Sequence, residues 1–184
     1  MKSLVLVLFL TSLVLSGCSS SSEKDSISKS DLCIIHIDSG KEVCYGMNRS
    51  EAEKVLGNGK QSVPGYEYDF GVKILYRKDT IAGIQLIDDS KGVFKTAGGA
   101  EVGMSKSEIK KLYGDKYALE LAEHNLDYYY DSSNKTFLGK VSIDQKRTPE
   151  ESKSIYLISI VTDFNEGNTS GIFISDLWMA RTFS

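Results

Sequence analysis

The sequence lacks the residue patterns that identify common enzyme and metal sites. It has two histidines in 184 residues, His36 and His124, and neither has the spacing of a metal ligand pair or a neighbouring nucleophile. GxSxG, HExxH and glycine-rich phosphate loops are also missing. We therefore expect no metal, no cofactor and no catalytic residues, and we predict that the protein is not an enzyme.

Clustered positive charge is missing as well. The formal net charge is −3 at pH 7, and no segment concentrates lysine and arginine. Binding to a phosphate backbone needs a surface on which several basic side chains lie together. Nucleic acid is therefore not an expected partner.

The N-terminus carries the strongest positive signal. Lys2 is followed by an apolar run over residues 4–15 and by small residues that end at Cys18. This order is typical of a bacterial lipoprotein signal peptide, and about a dozen apolar residues are too few to cross a hydrocarbon core of roughly 30 Å. The pattern predicts a cleaved signal peptide over residues 1–17, with acyl chains such as palmitate on Cys18; the alternative is an ordinary secretory signal with a cysteine nearby. Either signal places the protein outside the cytoplasm. The lipoprotein signal predicts that it lies in the bacterial cell envelope, anchored by its lipid to the extracytoplasmic side of the outer or plasma membrane.

A polar segment follows the signal. Residues 19–30 contain seven serines, and Ile27 is their one large apolar residue. Such a composition offers little to bury, so we predict a tether over residues 18–30 with a reach of roughly 20 Å.

The remaining cysteines, Cys33 and Cys44, flank a predicted hairpin with a turn at Ser39 and Gly40. The hairpin brings both to similar heights on neighbouring strands, outside the cytoplasm. A disulfide here would add on the order of 3 kcal/mol; the alternative is a pair of reduced cysteines packed in a core.

An internal repeat organises the body of the chain. Residues 46–57 align without gaps on residues 103–114, and both copies begin with Gly-Met and end with glycine. Asn48 and Ser105 each precede a glutamate by three residues, which is the capping-box pattern of a helix start. We predict one helix in each of two repeats, over residues 31–92 and 93–184.

Strand patterns follow each helix. Residues 66–69 match 128–131 and residues 81–89 match 155–163, with 72–76 and 136–144 between them, and the alternation indicates half-buried antiparallel strands. The predicted fold class is α+β: two tandem repeats of a helix and a three- to four-stranded antiparallel meander, with the helices packed on one face of the sheet. The tail over residues 171–183 is apolar enough to add a final strand or a cover.

These repeats resemble known proteins. The GMxxxE helix that ends in glycine, with its Tyr-rich meander, is similar to the small αβ module of the SmpA/OmlA lipoprotein family, to which BamE belongs. Its tandem doubling resembles the β-lactamase inhibitor protein (BLIP) fold. The resemblance covers residues 46–89 and 103–163 and implies a non-enzymatic protein-binding module, an inhibitor or an envelope-assembly partner, that binds another envelope or secreted protein.

Strand alternation also suggests where such binding would occur. One face of the predicted sheet, with Tyr128 among its residues, should pack on the helices. The candidate protein-binding face is the other one, which carries Tyr129, Leu138, Leu157, Val161, Leu75 and Ile87. Rigid aromatic and apolar residues are favoured anchors; the alternative is that the segment around Trp178 folds over this face. The charged loop over residues 145–154 is either a contact finger or simply solvated.

Three classes of function follow from these patterns. The first is a lipoprotein that binds a partner through the sheet face, and the second is a structural accessory of an envelope complex. The third is an enzyme of unrecognised type, which would gather acids such as Asp127, Asp131 and Glu123 in a cleft with shifted pKa values.

Overall fold

Antiparallel strands dominate the fold. The computed structural model describes residues 24–165 and 167–182, so the signal peptide and the lipidation site at Cys18 lie outside the described residues. No described helix is both long enough and apolar enough to cross a membrane.

Eleven strands form two sheets among the described residues. The small sheet contains β1 (Cys33–His36), β2 (Glu42–Cys44) and β7 (Phe94–Thr96), in the order β2-β1-β7. The large sheet contains β3 (Lys60–Gln61), β4 (Tyr66–Tyr68), β5 (Val72–Arg77), β6 (Thr80–Ile87), β8 (Asn125–Asp131), β9 (Thr136–Phe137), β10 (Ile155–Thr162) and β11 (Thr169–Asp176). Its order is β3-β4-β5-β6-β11-β10-β8-β9, and every pair is antiparallel.

The helices are short: α1 (Arg49–Leu56), α2 (Lys106–Tyr113), α3 (Lys140–Ile143), α4 (Pro149–Lys153) and α5 (Leu177–Thr182). The predicted starts of α1 and α2 are confirmed. The Asn48 amide donates to Glu51 at 3.3 Å and the Ser105 amide donates to Glu108 at 2.9 Å, as the capping box requires.

The predicted fold class is wrong in its main features. The protein is mostly antiparallel sheet, and its helices lie on both faces of the large sheet rather than on one. Buried residues of α1 and α2 join the main core, whereas Leu177 and Met179 of α5 pack on the opposite face. The physical reason is the small size of the helices: α1 buries Ala52 alone, and α2 buries Ile109 and Tyr113, which is too little apolar surface to cover eight strands. Ile34, Val43 and Phe94 of the small sheet also belong to the main core.

The predicted match of residues 81–89 with residues 155–163 is also wrong, whereas β4 and β8, which contain the other matched segments, do hold equivalent places in the strand order. The stretch predicted as a strand over residues 136–144 contains only β9, after which Gly139 caps α3. The strand that plays the part of β6 in the second half is β11, since these two strands pair with each other at the middle of the sheet. Both sheets contain strands from both predicted repeats.

The two predicted repeats do share one set of backbone contacts. Each Gly-Met pair ahead of a helix exchanges backbone hydrogen bonds with the start of β6 or β11. The bonds are Gly46 N to Ile81 O at 2.9 Å, Ile81 N to Met47 O at 2.9 Å, Gly103 N to Thr169 O at 2.7 Å and Thr169 N to Met104 O at 2.7 Å. The two helix starts therefore hold the two central strands in equivalent ways.

The predicted tether is partly docked on the domain. Ile27 is 2% exposed and belongs to the main core, and Lys24 forms an ion pair with Asp31 at 2.6 Å. The single apolar residue of the segment thus finds a buried site, which the composition of the segment did not suggest. If Cys18 carries the lipid, the chain between it and Lys24 spans at most about 20 Å.

The hairpin of β1 and β2 forms where the sequence predicts it. Cys33 and Cys44 are direct partners in the antiparallel register, and their sulfur atoms are joined in a disulfide. The bond ties together the two strands that lead into α1.

Candidate functional site

The face of the large sheet opposite the main core, here called the outer face, carries one continuous row of side chains. The antiparallel registers place Asp127 beside Ser159, Ser159 beside Phe173, Phe173 beside Gln85, and Gln85 beside Lys73. With strands about 4.8 Å apart, this row crosses five strands and spans about 19 Å.

α5 covers the next row of the outer face. Its Leu177 packs with Tyr129 and Leu157, and its Met179 packs with Leu75. The helix begins directly after β11 and packs back against the outer face of the large sheet. The covered row therefore forms a second, smaller core on this face of the sheet.

A groove remains where α5 ends. It has a volume of about 410 Å³, and its floor is the row from Asp127 to Lys73 together with Asn125 and Val161. Pro64, in the loop between β3 and β4, and Ala180 of α5 border it. Gly83 allows the Phe173 ring to lie close to the sheet, since a Cβ atom at position 83 would lie 3.1 Å from that ring.

The candidate binding residues divide into two groups at the edge of α5. Tyr129, Leu138, Leu157 and Leu75 are 8%, 9%, 3% and 7% exposed, whereas Val161 and Ile87 are 40% and 44% exposed. The alternation assigned the strand residues to the correct face, but the expectation that all six are exposed is wrong. The alternative expectation, that the segment around Trp178 folds over this face, is correct for the part of the face that lies beneath α5.

Asp127 is the most unusual side chain of the groove. It is 4% exposed, and its Oδ1 atom has no hydrogen-bond partner among the described residues. Burial raises the pKa of its carboxyl group, against the effect of a hydrogen bond from Ser159 that lowers the pKa. A carboxyl group in this state is a candidate for binding or catalysis.

The other two acids that an enzyme would gather lie elsewhere. Asp131 accepts hydrogen bonds from the backbone amides of Ser133 and Asn134, at 2.9 and 3.1 Å, and so shapes the turn between β8 and β9. The Glu123 side chain is 90% exposed in the loop before β8. The three acids therefore do not converge on one cleft.

A second hollow, of about 500 Å³, adjoins the groove and shares Lys73 and Gln85 with it. Its lining includes Glu67, Asp69, Asp89 and the turn residue Phe70. Phe70 is 59% exposed and has a φ of 56°. A non-glycine residue at positive φ is uncommon and often marks a functional segment.

The remaining features flagged in the sequence lie away from the groove. The loop over residues 145–154 contains α4 and borders a separate, highly charged hollow with Asp131. His36 and His124 contact the rings of Phe94 and Phe164, at centroid distances of 5.1 and 4.0 Å. Among the described residues, the ligand atoms of Cys33, Glu42 and Cys44 lie together, but both sulfur atoms are in the disulfide.

Phe173 and Lys73 line the groove but were not among the predicted binding residues. The signal that could have found Phe173 is the alternation over residues 171–175, which puts Gly171, Phe173 and Ser175 on one face of a strand. This alternation alone does not identify the neighbours of Phe173. They depend on which strand pairs with β11, and the sequence does not reveal that strand.

Comparisons with protein-family models, with curated proteins and with solved structures found no match for this chain.

The cover over the outer face gives a first prediction. Tyr129→Ala should lower the free energy of unfolding by about 3 kcal/mol, as large-to-small aromatic changes in a core do, whereas Val161→Ser beyond the cover should change it by about 0.5 kcal/mol or less. Urea unfolding of both variants measures this. If Tyr129→Ala is as mild as Val161→Ser, α5 does not cover this face in solution.

The Asp127 carboxyl group gives a second prediction. Because its pKa is raised in the folded state, its contribution to stability is fully present below the unfolded pKa, about 3.9, and is lost as pH rises through the folded pKa. Asp127→Asn fixes the neutral form, so it should stabilise the protein at pH 7 by about 1 to 3 kcal/mol. The gain should shrink below pH 4.

The matched control is Asp144→Asn, which removes one charge at an exposed position and should change stability by about 0.5 kcal/mol or less at either pH. Thermal unfolding at both pH values measures the difference. A destabilising Asp127→Asn at pH 7 would show that the folded protein depends on the charged carboxylate.

Proposed function

We propose that this protein is a lipid-anchored, non-enzymatic binding protein of the bacterial envelope, which recognises another protein through the groove on its outer face. The observation that carries the proposal is an uncovered apolar rim where α5 ends. Val161, Ile87 and Phe70 are 40%, 44% and 59% exposed along the groove and the adjoining hollow.

Exposed apolar residues that lie together support a binding role. Soluble proteins seldom leave contiguous apolar patches uncovered unless a partner covers them. Val161 and Ile87 are both aligned with Gly171 of β11 in the sheet, one on each side. Gly171 has no side chain to fill the space between them, so the rim is concave.

The charges around the groove favour a basic partner segment. Glu67, Asp69, Asp89 and Asp127 line the groove and the adjoining hollow, and Lys73 is the one basic residue among the described residues that line them. Lys73 is paired with Glu67 at 3.3 Å. A segment with apolar and basic side chains therefore complements this surface in shape and charge.

The position of the anchor supports a protein rather than a lipid as occupant. The described chain begins at Lys24, whose ammonium group lies 5.3 Å from the ring centre of Tyr113 in the main core. The groove lies on the other face of the large sheet. At most about 20 Å of chain would separate a lipid on Cys18 from Lys24, so the proposed anchor would attach on the side of the large sheet opposite the groove.

The anchor is tested by replacing the modified residue. Cys18→Ser should lose its acyl chains and move from the membrane fraction to the soluble fraction, while Ser20→Ala should behave as the wild type. Intact-mass spectrometry and fractionation measure both properties. An unmodified Cys18 in the wild type, or a mature N-terminus elsewhere, would contradict the lipid anchor.

The binding face is tested by capture from the native envelope with matched variants. Val161→Asp and Ile87→Asp should each lose the protein that the wild type captures, since truncated interface anchors commonly cost 2 kcal/mol or more, roughly thirtyfold in affinity. Leu112→Asp, which changes a 37% exposed leucine of α2, should retain it. Equal capture by all three variants would favour a structural accessory whose sheet face is silent.

A further inference from the structure

We propose that Asp127 binds a lysine or arginine side chain of the partner protein, which enters the groove with its charged group toward the Asp127 carboxylate. This inference rests on the proposed function and names the chemistry of the segment that the groove would accept.

The state of the carboxyl group is the first argument. Asp127 is 4% exposed and its Oδ1 atom is unpaired among the described residues, although buried polar atoms are almost always hydrogen-bonded. The torsion about its Cβ–Cγ bond is soft, so rotation can turn this oxygen toward the groove. A donor that enters the groove would then satisfy it.

The surroundings of Asp127 suit a cation on an apolar stem. Asn125 and Ser159 line the groove beside it and offer further oxygen acceptors. Tyr129 and Phe173 line the same groove and can contact the methylene groups of a long basic side chain. These neighbours match both ends of lysine or arginine.

No internal cation already serves this role among the described lining residues. The only basic one is Lys73, four strands from Asp127 in the same row, which is about 19 Å at the usual strand spacing. Its ammonium group is paired with Glu67. A cation that pairs with the Asp127 carboxylate in the groove would therefore come from a bound partner.

The rim selects a polypeptide over a free amine. Val161 is paired in register with Asn125, which precedes Asp127 by two residues on β8. On its other side Val161 is paired with Gly171, and Gly171 is paired with Ile87. Apolar side chains that flank a basic residue in a segment would reach these positions. A small polyamine has no flanking side chains to place at these positions.

The test is a titration of the mature full chain in detergent micelles, followed by amide chemical shifts in NMR spectra. The probes are acetyl-Leu-Arg-Leu-amide, the same peptide with neutral citrulline in place of arginine, and spermidine. The arginine peptide should shift the amides of Asp127 and Ser159, and the other two probes should bind about tenfold more weakly or worse.

Asp127→Asn should lower the affinity for the arginine peptide by about tenfold or more. Thermal unfolding should show that this variant keeps its fold. Asp144→Asn, which removes the same charge away from the groove, should bind as the wild type does. No binding of the arginine peptide, equal binding of the citrulline peptide, equal binding by Asp127→Asn, or spermidine as the tightest probe would each overturn the inference.

Capture of the envelope partner separates this inference from the proposed function. If Val161→Asp loses the partner and Asp127→Asn keeps it, the groove binds a protein without a cation at Asp127. If the wild type captures no partner that depends on Val161, the proposed function itself fails.

Discussion

The pairing of β6 with β11 is the interaction on which the rest of the structure depends. It joins the strands of the two halves of the chain into one sheet, in a register that runs from Gly171 beside Ile87 to Ser175 beside Gly83. Without it, each half would end in a long exposed strand edge, which is prone to non-native pairing. The same register places Phe173 beside Gln85 and so joins the acidic and basic ends of the groove floor. The candidate site is therefore a direct product of this pairing, and neither half of the chain contains it alone.

Asp176 lies at the end of β11, directly before α5, the helix that covers part of the outer face. This last residue of β11 is fully buried, accepts a hydrogen bond from Tyr45 at 2.6 Å and forms an ion pair with Arg77 at 2.9 Å. Its carboxylate also accepts the Met179 amide at 2.7 Å, which holds the first turn of α5. Burial and the contact with Asp176 raise the pKa of the Tyr45 hydroxyl group, so Tyr45 remains a hydrogen-bond donor. One buried carboxylate thus connects the small-sheet hairpin, β5 and α5, and removing it would leave Arg77 without its partner.

The features that sequence could predict are those set by neighbours along the chain. The capping boxes at Asn48 and Ser105, the hairpin between Cys33 and Cys44, and the opposite faces of Tyr128 and Tyr129 all follow from local spacing. The partner of β11 and the course of α5 depend on contacts between residues far apart in sequence, for which a single chain offers no local signal. That is why residues 81–89 were matched to the wrong counterpart and the outer face was expected to be open. Asp127 could be named as an acid, but its burial could not, because burial depends on both the β10 register and the extent of α5.

The position of Asp127 relative to α5 explains how one carboxyl group can be both buried and available to a ligand. Two residues further along β8, Tyr129 packs beneath α5, where burial raises the pKa of its hydroxyl group. Two residues earlier, Asn125 lies beside the exposed Val161, where a charge would be solvated by water. At position 127, between these two environments, electrostatic attraction is strengthened by low solvation while the groove still leads to the surface. The packing of α5 on Tyr129 and Leu157 therefore decides which part of the outer face is buried, and the groove beside it holds Asp127 between buried and exposed neighbours.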